Sequence, residues 1–241
     1  MKAILLLARR ELGYYLNTTW GYAVMALILV LDGILFNTFA MGESARYSAD
    51  VLEDFFYFSS GTTMIAGVLL TMRLIAEERQ TGTENLLQTA PISEAQVVAG
   101  KFLGAGSFLG LITLLTLYMP VLIQINGKVS WAQIGAGYLG LFCLGATSVA
   151  IGTLGSAVAR TQLFAALLSG CLLVLLLLGW LMGKAADPPL DSIFSYSALF
   201  DRHYQPFMRG RINTESLFYY ASTTFFLLLL STRVLQARRQ S

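Results

Sequence analysis

The stretch AQIGAGYLGLFCLGATSVAIGTLGSA, residues 132–157, is a long apolar run of helical length. At 1.5 Å per residue it exceeds the ~20 residues that carry a helix across a ~30 Å hydrocarbon layer. Five further runs of similar character lie at about 20–41, 55–76, 101–125, 162–183 and 216–232. Helices of a soluble domain keep a polar face and have no need of so many runs of this kind. The sequence therefore predicts an all-α membrane protein of six transmembrane helices in one domain, residues 1–241.

Composition points the same way. The chain is 56% hydrophobic and 12% charged, against about 25% charged residues in a soluble domain. A formal net charge of +2 gives no electrostatic footprint for nucleic acid. Cys143 and Cys171 fall inside apolar runs without a CxxC or Cys/His pattern and read as small packing residues. His203 is the single histidine, with no Cys or acid cluster around it in the sequence, so it reads as an ordinary rim residue and no metal site is predicted.

Ahead of the first run, Ala3–Ala8 is too short for a signal peptide, and Arg9-Arg10-Glu11 follow where a cleavage site would stand. Residues 1–16 read as a helix at the membrane surface, with Lys2 and Arg9 on one face. Six spans place both termini on one side. Setting them in the cytoplasm puts ten of the 16 Lys and Arg residues inside, as the positive-inside rule requires. Trp20, Trp131 and Trp180 then stand near span ends, where aromatic belts form.

The inner segment 77–100 carries two capping patterns. Thr81 and Glu84 have capping-box spacing and predict a short helix starting near Thr81, ended by Pro91. Ser93 and Gln96 predict a second helix leading through Lys101 into the third span. The other inner connection, Val158–Gln162, is a tight turn. On the outer side, Asp191–Tyr204 places Ile193, Phe194, Leu199, Phe200 and Tyr204 at spacings that fit one helical face, within a re-entrant loop 184–215. Asp32 is the acid well inside a span, by default a functional candidate, with a local hydrogen bond as the plainer reading. Gly100-xxx-Gly104 and Gly106-xxx-Gly110 predict close helix contacts, and Pro120 a kink.

The run Glu78-Arg79-Gln80-Thr81-Gly82-Thr83-Glu84-Asn85-Leu86-Leu87, followed by Pro91 and Gly100-Lys101, resembles the segment between the second and third spans of ABC-2 type transporter permeases. Arg9-Arg10-Glu11-Leu12 with Tyr14-Tyr15, and Phe207-Met208-Arg209-Gly210-Arg211-Ile212, resemble the gliding-motility-type branch of that family. The resemblance runs in order along essentially the whole chain. It implies a permease subunit of an exporter in a bacterial inner membrane. Its partners would be two copies of an ABC ATPase, a second permease copy or paralogue, an outer-side accessory protein and membrane lipids. Carried over by position, the ATPase-coupling residues are Glu78, Gly82, Thr83, Glu84, Leu87 and Arg160, and the outer gate holds Phe200, Phe207 and Gly210.

The chain has no G-x-x-x-x-G-K-[ST] run, so it binds no cofactor of its own in this reading, and ATP with Mg belongs to the partner ATPase. An intramembrane enzyme is excluded by the lack of H-E-x-x-H and of a histidine within a span. The alternative is a subunit that transmits ATP-driven force to an outer-side partner without a cargo crossing.

Overall fold

The computed structural model describes residues 2–40, 47–82, 92–127, 129–185, 187 and 190–239. Among these, every regular element is helical. Helix α1, Lys2–Asn17, leads into α2, Thr19–Leu35, which ends in a π turn at Phe36–Ala40. Helix α3, Ser48–Thr71, is followed by a turn and the short α4, Ala76–Gln80. Then come α5, Glu94–Leu115, and α6, Tyr118–Asn126, the long α7, Trp131–Val158, α8, Gln162–Leu177, and α9, Gly179–Ala185. Helices α10, Leu190–Ser197, and α11, Gln205–Met208, precede the last, α12, Thr214–Arg239.

Among the described residues, five helical stretches are long and apolar enough to cross a membrane: Thr19–Phe39, Ser48–Gln80, Glu94–Ile125, Trp131–Val158 and Thr214–Arg239. The run expected as one span over 162–183 is instead two helices with a break at Leu178. The cause is packing on the next segment. A Cβ on Gly179 would lie 3.1 Å from the Phe194 carbonyl oxygen and 3.2 Å from the Ala198 Cα, so the bare backbone of glycine eases the close packing of α9 against the end of α10. Between α5 and α6 the ladder breaks at Thr116–Leu117. Pro120 has no N–H to return to Thr116, and that carbonyl takes the Met119 amide at 3.0 Å.

Helix α7 is the central post, most of it buried, with α3, α5, α8 and α12 packed around it. Its glycines admit neighbours: a Cβ at Gly137 would collide with the Phe56 ring, and one at Gly152 with Thr71. Buried hydroxyls here mostly bond within their own helix, Thr71 to the Gly67 carbonyl at 2.6 Å, Ser148 to Leu144 at 2.9 Å and Thr153 to Val149 at 2.7 Å. That satisfies polar groups where no water reaches. The outside is apolar, with Val30, Leu163, Phe164, Leu167, Phe218 and Phe225 all more than half exposed. Such a surface suits lipid.

Both termini lie at one end of the bundle. Glu11 of α1 and Arg239 of α12 each meet the start of α5, through Lys101 at 3.1 Å and Glu94 at 2.8 Å. Helix α1 seats there on bare backbone: a Cβ on Gly100 would lie 2.6 Å from Leu7 Cβ, and one on Gly104 2.5 Å from Glu11 Cβ. The Gly100-xxx-Gly104 pair is thus the cradle of the N-terminal helix. Gly104→Leu is expected to lift α1 off α5 at a cost of about 1–3 kcal/mol. The check is a lower Tm of the purified protein together with faster proteolysis near Arg9-Arg10, both absent in Gly106→Leu, whose Cβ meets nothing within 4 Å.

Candidate functional site

At that same end, four charged side chains from three elements converge. Lys101, 1% exposed, directs its ammonium to Glu11 Oε1 at 3.1 Å, to Glu78 Oε1 at 2.8 Å and to the Leu74 carbonyl. An ammonium has three donors, and all three are used. Arg10 closes the ring, its Nη2 lying 3.1 Å from Glu11 and 3.2 Å from Glu78. The Leu74 carbonyl belongs to the turn where α3 leaves its axis, so the cation also satisfies a carbonyl freed by the broken helix.

A second set of contacts fixes the other side of this turn. The Ile75 and Ala76 amides both donate to Ser156 Oγ of α7 at 3.0 Å. Arg79 donates to the Ala157 carbonyl at 3.2 Å and to that of Ala159, and Arg238 of α12 donates to that of Val158. Cations over the last carbonyls of α7 are favoured by the helix dipole. Arg73 is held by Glu77 and by the Tyr14 hydroxyl at 2.8 Å, with its guanidinium 5.3 Å from the centre of the Trp20 ring. Arg10, Glu11, Tyr14, Arg73, Glu77, Glu78 and Lys101 line an open cavity of about 500 Å³. The root of segment 77–100 is therefore bolted to α1, α5 and α7.

The residues expected to act here fall in different places. Glu78 lies in the ring around Lys101, its side chain 20% exposed. Thr81 follows Gln80, the last residue of α4; its hydroxyl returns to the Glu77 carbonyl at 2.9 Å, and Gly82 takes a φ of 74°. The short helix expected to start near Thr81 would run beyond Gly82, outside the described residues. Thr83, Glu84 and Leu87 lie outside the described residues. The Ser93–Gln96 capping box is present in both directions, at 3.3 and 3.2 Å. Arg160 is exposed in the turn between α7 and α8. Sequence reading missed Lys101 and Glu11 as partners. The available signal was a charge set between Gly100 and Gly104, opposite the only acid of α1.

At the far end the segment after α9 forms a wedge. Phe207 and Tyr204 are fully buried, Phe207 against Gly140 of α7 and the Tyr204 hydroxyl on the Phe56 carbonyl at 3.0 Å. The single helical face expected over Asp191–Tyr204 does not form. Helix α10 stops at Ser197, and Leu199 and Tyr204 bury from the turns that follow. Phe200 is half-buried, its ring 5.5 Å from that of Tyr57, and Gly210 turns the chain beside Gln133 with a φ of 75°. Asp32, 4% exposed, accepts a hydrogen bond from Thr62 of α3 at 2.6 Å, which is the local partner expected for it.

His203 is no ordinary rim residue. It is fully buried, stacked 3.8 Å from Tyr219, with Nε2 on the Tyr196 carbonyl at 3.0 Å and Nδ1 without a partner. Burial holds its pKa below the usual value near 6.5, although the Tyr196 carbonyl acts the other way.

A family model described as ABC-2 family transporter protein matches residues 20–235, from the start of α2 into the last turns of α12. No curated protein matches the chain.

Two outcomes are expected from this geometry. Lys101→Met leaves Glu11 and Glu78 beside a buried apolar group with Arg10 as their shared cation and should cost up to about 3–5 kcal/mol. Adding Glu11→Gln should recover part of it, read as a Tm above that of the single variant. For His203, the depressed folded-state pKa means that the unfolded chain binds more protons as pH falls through about 6.5. Wild-type Tm should therefore decline below that pH, and His203→Phe should flatten the curve between pH 7 and 5.

Proposed function

This chain belongs to the ABC-2 transporter family, and from that premise we propose that it is the permease subunit of an exporter driven by a separate ABC ATPase. The observation that carries the reading is the family match over residues 20–235. In the proposed arrangement two ATPase copies serve two permease chains, identical or paralogous, in a bacterial inner membrane. The chain crosses six times, with the pair α8 and α9 supplying the fifth crossing, and both termini face the cytoplasm. Support for that orientation comes from the gathering of Lys101, Arg10, Arg73, Arg79, Arg238 and Arg239 at the end where both termini lie.

In this proposal, segment 77–100 is the coupling element. Gly82, Thr83, Glu84 and Leu87 meet the ATPase, Arg160 forms a smaller second contact, and Glu78 belongs to the anchoring ring. Motion delivered to the segment would pass to α1 and α5 through Lys101 and to α7 through Ser156 and Arg79. Rigid connections at the root favour transmission over local yielding. The wedge bearing Phe200, Phe207 and Gly210 closes the outer end of the path.

The experiment is reconstitution with the partner ATPase. Glu84→Lys is expected to insert normally while ATPase association weakens or hydrolysis runs without cargo movement. Full association and full cargo-stimulated hydrolysis in that variant would remove the coupling role from the segment. Orientation is checked by single cysteines: one at Ser48 should label from outside in intact cells, and one at Gln88 only after permeabilisation.

A further inference from the structure

A groove of about 640 Å³ opens sideways between α2, α3, the break at Leu178 and the turn carrying Phe200 to Gln205. That is the size of an organic ligand site, and its walls are mostly apolar and aromatic, as such sites are. Tyr57, Phe58, Trp180 and Phe200 supply ring faces. The polar groups are fewer and of one sign. Asp201 sits in the wall, and its carboxylate accepts a single hydrogen bond, from Gln205 at the long distance of 3.5 Å. Thr62, also in the wall, is bonded at 2.6 Å to the buried carboxylate of Asp32.

No lysine or arginine is among the described residues that line the groove. Arg202, beside Asp201 in sequence, is taken up by Glu215 at 3.1 Å and by the Tyr196 ring. Lys184 rests its ammonium 4.5 Å from the centre of the Trp180 ring, so one wall of the groove is built from an aromatic that already holds a cation.

We infer that this groove binds an amphiphilic organic cation, its apolar body along Tyr57 and Trp180 and its ammonium at Asp201. Resting on the permease reading above, this names the class of cargo. A recess with one carboxylate, ring faces and no cation among its described lining residues selects positive charge; a lipid acyl chain would gain from the walls and nothing from Asp201.

The test uses a photoactivatable octyltrimethylammonium and its uncharged isostere with carbon in place of nitrogen, applied to the full chain in phosphatidylcholine nanodiscs. The cation should label the peptides bearing Tyr57 and Phe200 about tenfold more than the isostere. Asp201→Asn should erase that preference. Gly61→Leu should reduce labelling by both probes, because a Cβ at Gly61 meets nothing within 4 Å and the added side chain has room to fill the groove. Equal labelling of the wild type by the two probes would overturn the site and leave an acyl-chain groove. So would a charge preference that survives Asp201→Asn. Labelling needs no ATPase, so the permease reading is judged apart, by ATP-driven efflux from proteoliposomes holding both subunits. A charge preference without efflux of the probe would keep the site and overturn its role in transport. Efflux of another cargo, with equal labelling by the two probes, would overturn the site alone.

Discussion

The ammonium of Lys101 is the constraint on which the inner end depends. Buried, and with each of its three protons assigned, it draws together a helix from the N-terminus, the start of α5 and the turn after α3. Losing either acid leaves this charge desolvated and under-paired, which costs more than the pair contributes. Geometry, more than net stability, is what such a buried cluster secures. The glycines on either side of it make the approach possible, because α1 can reach the cluster only where α5 presents no side chain.

From this anchor the rest of the inner end follows. With α1 fixed, Tyr14 and Trp20 stand where they can hold Arg73, and Tyr15 places its hydroxyl on the Leu70 carbonyl at 2.7 Å. With the turn after α3 fixed, its free amides reach Ser156 and its Arg79 reaches the end of α7. The result is a platform made from several helices, yet among the described residues its deep ionic element is the one lysine with its two acids.

The helices were legible in the sequence because apolar length and capping chemistry are local properties. Trp131–Val158 and the Ser93–Gln96 box formed where the residues said they would. What was not legible was set by contacts between distant segments. The break at Leu178 arises from the approach of Phe194 and Ala198 to Gly179. The Thr81 hydroxyl, offered as a cap by its spacing, also returns to the Glu77 carbonyl of α4, a contact that no capping pattern announces. The candidate site was legible by halves. Glu78 stood out for its family pattern, but its partners lie 23 and 68 residues away, and no spacing rule links them. His203 looked unremarkable for the same reason, since its burial depends on Tyr196 and Tyr219 folding over it.

The habit of the buried hydroxyls has a mechanical meaning. Thr71, Ser148 and Thr153 spend their protons on their own helices, so the seam between α3 and α7 is closed by shape and carries few cross-links that a displacement would tear. The Phe56 ring seats on Gly137 and Thr71 on Gly152, so interlocking shape holds the seam while its hydroxyls keep their own helices intact. At its two ends hydrogen bonds take over, the Ile75 and Ala76 amides to Ser156 at one and the Tyr204 hydroxyl to the Phe56 carbonyl at the other, so cross-links gather at the ends and shape fills the length between.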